Sequence, residues 1–81
     1  MFNVYVIESL KNGKEYIGFT AKSVEKRLKE HNSGCNKWAR ENKPFKVLYF
    51  ENFGSESIAR KREKFFKTGK GKKVLRNLIQ A

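Results

Sequence analysis

Val4-Tyr5-Val6-Ile7-Glu8-Ser9-Leu10-Lys11-Asn12-Gly13-Lys14-Glu15-Tyr16-Ile17-Gly18 decides the fold. Two β-type runs, at 2–8 and 15–20, flank Asn12-Gly13. Asn-Gly between apolar runs is the strongest short-range hairpin signal, because both central residues of its turn take φ > 0. With Asn12 and Gly13 as the loop, Ser9 faces Tyr16, Ile7 faces Gly18 and Tyr5 faces Thr20. Opposed residues share a sheet face, and so do residues two apart. Tyr5 and Tyr16 therefore lie on one face, and Gly18 leaves a notch between phenols.

Beyond the hairpin the period changes. From Ala21 to about Asn32, Ala21, Val24 and Leu28 form one helical stripe. Thr20 or Ser23 can cap its start, and Gly34 suits a left-handed stop. Residues 35–44 read as a short helical turn and loop. Phe45 to Phe53, β-branched and aromatic, is a third strand, with Pro44 at its start where a missing N–H is tolerated. Ser55 caps a helix running to about Lys67, Gly69 and Gly71 break it, and Val74, Leu75, Leu78 and Ile79 give a last short helix. The order β-β-α-β-α-α predicts a single α+β domain over residues 1–81: a small three-stranded antiparallel sheet flanked by helices.

Nineteen Lys and Arg against eight Asp and Glu leave a net charge of +11. Such a surface suits a large polyanion, whose condensed counterions basic residues displace; the bland alternative is a surface that serves solubility. Residues 55–81 concentrate the charge, with nine basic side chains against Glu56 and Glu63. No run approaches the roughly 20 apolar residues of a membrane span, and the N-terminus lacks a signal-peptide layout, so no membrane partner is expected. A lone Cys35 forbids an internal disulfide and fits a reducing, cytoplasmic setting. Cys35 and His31 are four apart but no second such pair exists, which argues against zinc, and Cys35 is a weak candidate nucleophile with His31 its only candidate base. A monomer is the default.

Arg27 and His31 stack one turn apart, just beside the Val24/Leu28 stripe, and are expected at the margin between helix and sheet. An Arg there can bind phosphate bidentately, and a neutral His can take a proton from water near pH 7. The plainer alternative is a boundary Arg and a structural His. Glu63 lies at the edge of the apolar face of its helix, inside Arg60-Lys61-Arg62-Glu63-Lys64. A carboxylate in that setting either balances charge or holds a cation such as Mg²⁺, which takes one or two carboxylates, waters and phosphate oxygens. Arg62 falls inside the apolar stripe, where its stem can pack and its head can pair with Glu63. Trp38, in a basic loop, either stacks on a base or caps the core.

Together these segments resemble the GIY-YIG endonuclease domain, in particular its small bacterial stand-alone members, related to the UvrC and Slx1-type nuclease modules. Val4-Tyr5-Val6 stands at the first signature and Tyr16-Ile17-Gly18 at the second. Lys26-Arg27-Leu28-Lys29-Glu30-His31-Asn32 is similar to the family's Arg-Leu-x-x-His-Asn helix, and Lys43–Tyr49 to its third strand. Ala59–Lys64 is similar to the helix carrying its metal-binding Glu. The resemblance implies metal-dependent hydrolysis of phosphodiester bonds in DNA, with RNA left open, directed to a flap, branch or end during repair or processing. It implies Tyr5, Tyr16, Arg27, His31 and Glu63 as catalytic residues, Gly18 as the residue that shapes the site, and one Mg²⁺ or Mn²⁺ on Glu63. Which of Tyr5, Tyr16 and His31 acts as base stays open. Lys37, Trp38, Arg40, Arg60, Lys64, Lys67, Lys70, Lys72 and Lys73 are the expected nucleic-acid contacts. The chain departs from the pattern in three places. Tyr16 and Arg27 are eleven apart, one more than is commoner in the family; Phe19 follows the second signature where some members have Lys; and Leu75 stands where some nucleases carry Asn, with Asn77 the nearest amide. The alternative function is an inactive nucleic-acid-binding module of the same fold; a basic ribonucleoprotein component is a further rival.

Overall fold

A computed structural model describes residues 1–81. Strand β1 (Phe2–Ser9) is central, flanked antiparallel by β2 (Glu15–Thr20) and β3 (Phe45–Phe53) in the order β2-β1-β3. Helices α1 (Val24–Asn32) and α2 (Lys37–Asn42) cover one face, and α3 (Glu56–Phe66) and α4 (Gly69–Gln80) cover the other. The predicted α+β sheet with flanking helices is therefore the observed architecture.

Alternation along β1 builds both cores. Val4 and Val6 face α3 and α4, where they meet Ala59, Phe66 and Leu75. Tyr5 and Ile7 face α1 and α2, where they meet Val24, Ala39 and Phe45. Each helix begins at a side-chain cap: Ser23, Asn36, Ser55 and Thr68 each accept a backbone N–H of the first turn.

Several local expectations change. The hairpin does not close through a two-residue Asn-Gly turn. Tyr5 faces Gly18, Ile7 faces Tyr16 and Asn3 faces Thr20. Only Gly13 in this turn has positive φ (77°), and Ser9 Oγ gathers the backbone N–H groups of Lys11 and Asn12 into a wider loop. The register moves by two residues, so every side chain keeps its face. The first helix starts at Val24, with Ser23 and not Thr20 as its cap, and Ala21 is exposed outside it. The short turn expected in 35–44 is the complete helix α2. Only Lys67 and Thr68 separate α3 from α4, and Gly69 and Gly71 lie in the first turn of α4. A Cβ on Gly71 would overlap the Phe65 carbonyl, so that glycine lets the two helices close into a tight elbow. Arg62 does not pair with Glu63. It crosses to Glu51 with two hydrogen bonds (2.8 and 3.2 Å) and lies over the Phe66 ring. Glu51 also accepts from the Tyr49 hydroxyl at 2.6 Å; burial, and then this bond to a carboxylate, push that phenol up to about 12.

Candidate active site

Tyr5 and Tyr16 meet over Gly18, their ring centroids 6.2 Å apart. A Cβ on Gly18 would collide with the Tyr5 hydroxyl and lie 2.8 Å from Tyr16 Cε1, so the missing side chain is what admits both rings. Helix α1 then delivers two further groups to the same hydroxyl. Arg27 Nε donates to Tyr5 Oη at 3.3 Å, and His31 Nε2 lies 3.1 Å from it. The one-turn spacing of Arg27 and His31 places them on one helix face, and Arg27 reaches Tyr5 despite the longer stretch from Tyr16.

The electrostatics of this cluster follow from burial. Tyr5 is 1% exposed and its phenol is pushed above the ordinary value by desolvation, which the Arg27 hydrogen bond only partly offsets. His31 is 0% exposed; burial, then the Arg27 charge, push it below its ordinary value. At neutral pH both are therefore uncharged. A neutral Tyr5 can accept from Arg27 while donating its own proton to His31 Nε2. Arg27 also donates Nη1 to Glu30 Oε1 at 2.7 Å. Burial opposes the guanidinium charge, but Glu30 and Tyr5 together hold its pKa above the ordinary value. Glu30 is tied to Lys22 as well, and hydrogen bonds from Lys22 and then Arg27 lower it to about 2. Arg27 Nη2 has no partner within the protein, and the side chain is 26% exposed.

The other expected residues fall in different places. His31 is not at the helix–sheet margin; it is inside, packed on Tyr5, Tyr16 and Phe45. The Trp38 ring stacks on Phe45 at 5.2 Å and lies against Tyr16 at 5.3 Å, so it is the core-capping alternative that the fold displays. Lys37 and Arg40 are exposed on α2, and Arg40 donates to the Gly34 carbonyl. Lys64, Lys70 and Lys73 are exposed on α3 and α4 with no ion pair. Leu75, at the position where Asn was sought, is a core residue; Asn77 is exposed.

Glu63 comes from the opposite face of the sheet. Its neighbours along α3 run beside edge strand β2: Arg60 lies over the Phe19 ring at 4.3 Å, and Lys67 lines a cavity with Tyr16 and Ile17. That cavity, about 510 Å³, also takes in Glu15, Lys72, Leu75 and Arg76. Glu63 Oε2 accepts from Lys67 Nζ at 3.2 Å, and Oε1 has no protein partner. Tyr5, Tyr16 and His31 thus pack on one another and Arg27 joins them through Tyr5, whereas Glu63 stands apart: its partner Lys67 lines the cavity with Tyr16, and Glu63 itself does not. No three His, Cys, Asp or Glu side chains gather anywhere. A lone carboxylate with a free oxygen fits an ion that keeps its waters and takes phosphate oxygens, and does not fit a cage of protein ligands.

Sequence reasoning missed two supports. Glu30 orients Arg27, a partnership that the three-residue helical spacing could have revealed. Asn32 bonds both the N–H (2.7 Å) and the carbonyl (3.5 Å) of Phe45, tying α1 to β3 beside His31. No local pattern announces that long-range contact.

A sequence model described as the GIY-YIG catalytic domain matches residues 1–77. The chain is similar to a UPF0213 protein of Clostridium perfringens, 40% identical over 79% of this chain and 68% of the relative. It is similar to a UPF0213 protein of Staphylococcus saprophyticus at 36% over 90% and 88% of the two chains, and to one of Halobacterium salinarum at 41% over 78% and 80%. No solved structure matches it. The GIY-YIG catalytic domain implies nuclease action on nucleic acids, generally with a divalent metal. With the match running through all three strands and most of the last helix, the chain belongs to the GIY-YIG family.

Proposed function

We propose that residues 1–81 form a single catalytic domain, a divalent-metal-dependent endonuclease acting on DNA in the cytoplasm. The substrate is a flap, branch or strand end, since the exposed Lys side chains of α3 and α4 suit phosphate contacts, which carry no sequence information. The observation that carries this is the convergence of two phenols, an imidazole and a guanidinium with one free edge, beside an edge cavity that Tyr16 and Lys67 both line.

Each residue then has a physical task. Arg27 Nη2 meets a non-bridging phosphate oxygen and offsets the charge that grows there during attack. Tyr16 lines the cavity and its hydroxyl has no protein partner, so it aligns the attacking water. Tyr5 and His31 are too buried to meet bulk water; Tyr5 holds Arg27, and His31 holds the Tyr5 hydroxyl. Glu63 is the residue to hold Mg²⁺ or Mn²⁺, whose charge when bound polarises the phosphate and acidifies water. Water adds to phosphorus, one ester P–O bond breaks, and the leaving oxygen takes up a proton.

The test is cleavage of labelled flap, fork, duplex and single-stranded DNA at low salt, with Mg²⁺, Mn²⁺ or chelator. Metal-dependent cutting that disappears in Glu63→Gln and Arg27→Ala supports the proposal. Tight binding with no cutting of any substrate overturns it in favour of an inactive binding module.

A further inference from the structure

We propose that the cavity beside β2 is a one-nucleotide subsite in which Lys72 binds the phosphate next to the one being cut. The proposal rests on the nuclease reading only in naming that neighbour as the scissile phosphate.

The cavity is built for part of a nucleic-acid strand. Ile17 and Leu75 contribute apolar lining, Tyr16 a phenol, Lys67, Lys72 and Arg76 cations, and Glu15 one carboxylate. Its volume of about 510 Å³ lies within the ordinary range for small-ligand sites. The three cations differ in what already holds them. Lys67 is engaged by Glu63 at 3.2 Å, and Arg76 by Glu15 at 3.0 Å. Lys72 has no hydrogen bond or ion pair from its side chain. An uncompensated ammonium at the rim of a cleft is where an incoming anion gains most, since binding breaks no existing pair.

Two further features favour a phosphate of the substrate strand over a diffuse basic flank. Lys64, Lys70 and Lys73 also lack partners, but none of them lines the cavity. The Gly71–Phe65 contact fixes α4 against α3, so the backbone that carries Lys72 is set beside Lys67. The apolar lining accepts a sugar, Lys72 binds its phosphate, and the neighbouring linkage then lies towards Tyr16, which lines the cavity and packs on Tyr5, the partner of Arg27.

The test is titration of a 5′-phosphorylated DNA dinucleotide into the full chain labelled with ¹⁵N, at low salt. Amide shifts are expected at 15–17 and 72–76. Lys72→Gln should weaken binding about tenfold, the size of one charge-assisted hydrogen bond, and Lys72→Arg should restore it to within about twofold. Lys29→Gln removes the same charge from exposed α1 and should change binding by less than about twofold. With longer DNA, Lys72→Gln should also lower the salt slope by about 0.7–0.9. Equal losses in Lys72→Gln and Lys29→Gln, or amide shifts confined to other elements, overturn the subsite. Absence of cleavage overturns the nuclease reading and leaves this titration intact. Cleavage whose KM is unmoved by Lys72→Gln overturns the subsite alone.

Discussion

The two faces of the sheet each bury five hydrophobic residues in a cluster, but they differ in chemistry and in the apolar cover around them, nine partly buried side chains on the α3/α4 face against four on the other. The α3/α4 face is Val4, Val6, Ala59, Phe66 and Leu75, with no polar group among them. The α1/α2 face puts a phenol among its five and seals a histidine beside them. Polar groups in a core cost free energy unless they are hydrogen-bonded. Tyr5, His31, Arg27 and Glu30 meet that requirement by bonding in a chain, and the apolar face supplies stability for both. One face holds the fold, and the other holds a geometry.

The sharpest way to break this division is to damage the apolar face. Phe66→Ala should cost about 3–5 kcal/mol in urea unfolding, much of the stability of so small a protein. An intact, active Phe66→Ala protein would contradict the division. Next, Arg27→Ala should lower kcat about 10²–10³-fold on the preferred substrate while the far-ultraviolet circular dichroism stays folded. A loss of structure in step with activity would place Arg27 in the scaffold instead.

The two phenols sharpen the comparison at smaller scale. Tyr5→Phe leaves buried nitrogens of Arg27 and His31 without their partner and should cost about 1–3 kcal/mol of stability. Tyr16→Phe removes a hydroxyl with no protein partner and should stay within about 0.5 kcal/mol while cleavage drops. Parallel melting and cleavage assays separate the two.

The smallest expected effect is on pH. His31 is held below its ordinary value of 6.5 by burial and then by Arg27. Below about pH 6.5 the unfolded chain binds a proton that the folded chain refuses, so stability falls as pH falls, until pH passes the folded value. The slope is at most about 1.4 kcal/mol per pH unit for one proton. Urea unfolding at about pH 7.5 and about pH 5.5 should show this decline, and His31→Phe should remove it. Glu51, held below the ordinary carboxylate range mainly by Arg62 against the pull of burial, adds its own loss only in the more acid window below about 4.5.

Much of this was legible in the sequence because periodicity survives local error. The hairpin loop was misplaced, but a shift of two in a strand returns every side chain to its face, so Tyr5 and Tyr16 stayed together. Arg27 and His31 followed from helical spacing. What could not be read depends on contacts between distant segments. Arg62 chose Glu51, on strand β3 beneath its own helix, over its neighbour Glu63. His31 went deeper than its helix stripe suggested because aromatic rings from β1, β2 and β3 close around it. Gly69 and Gly71 looked like breakers, yet Gly71 permits a close approach visible only once α3 and α4 are folded together.

The Asn32 amide clasps both ends of the Phe45 peptide unit. Withdrawing the imbedded imidazole one residue earlier therefore means unzipping the first rung of an adjoining strand. A partly melted centre on an otherwise firm scaffold is disfavoured. Hydrogen exchange at the Phe45 amide should report the same opening event that extinguishes turnover, so activity becomes a gauge of the folded fraction.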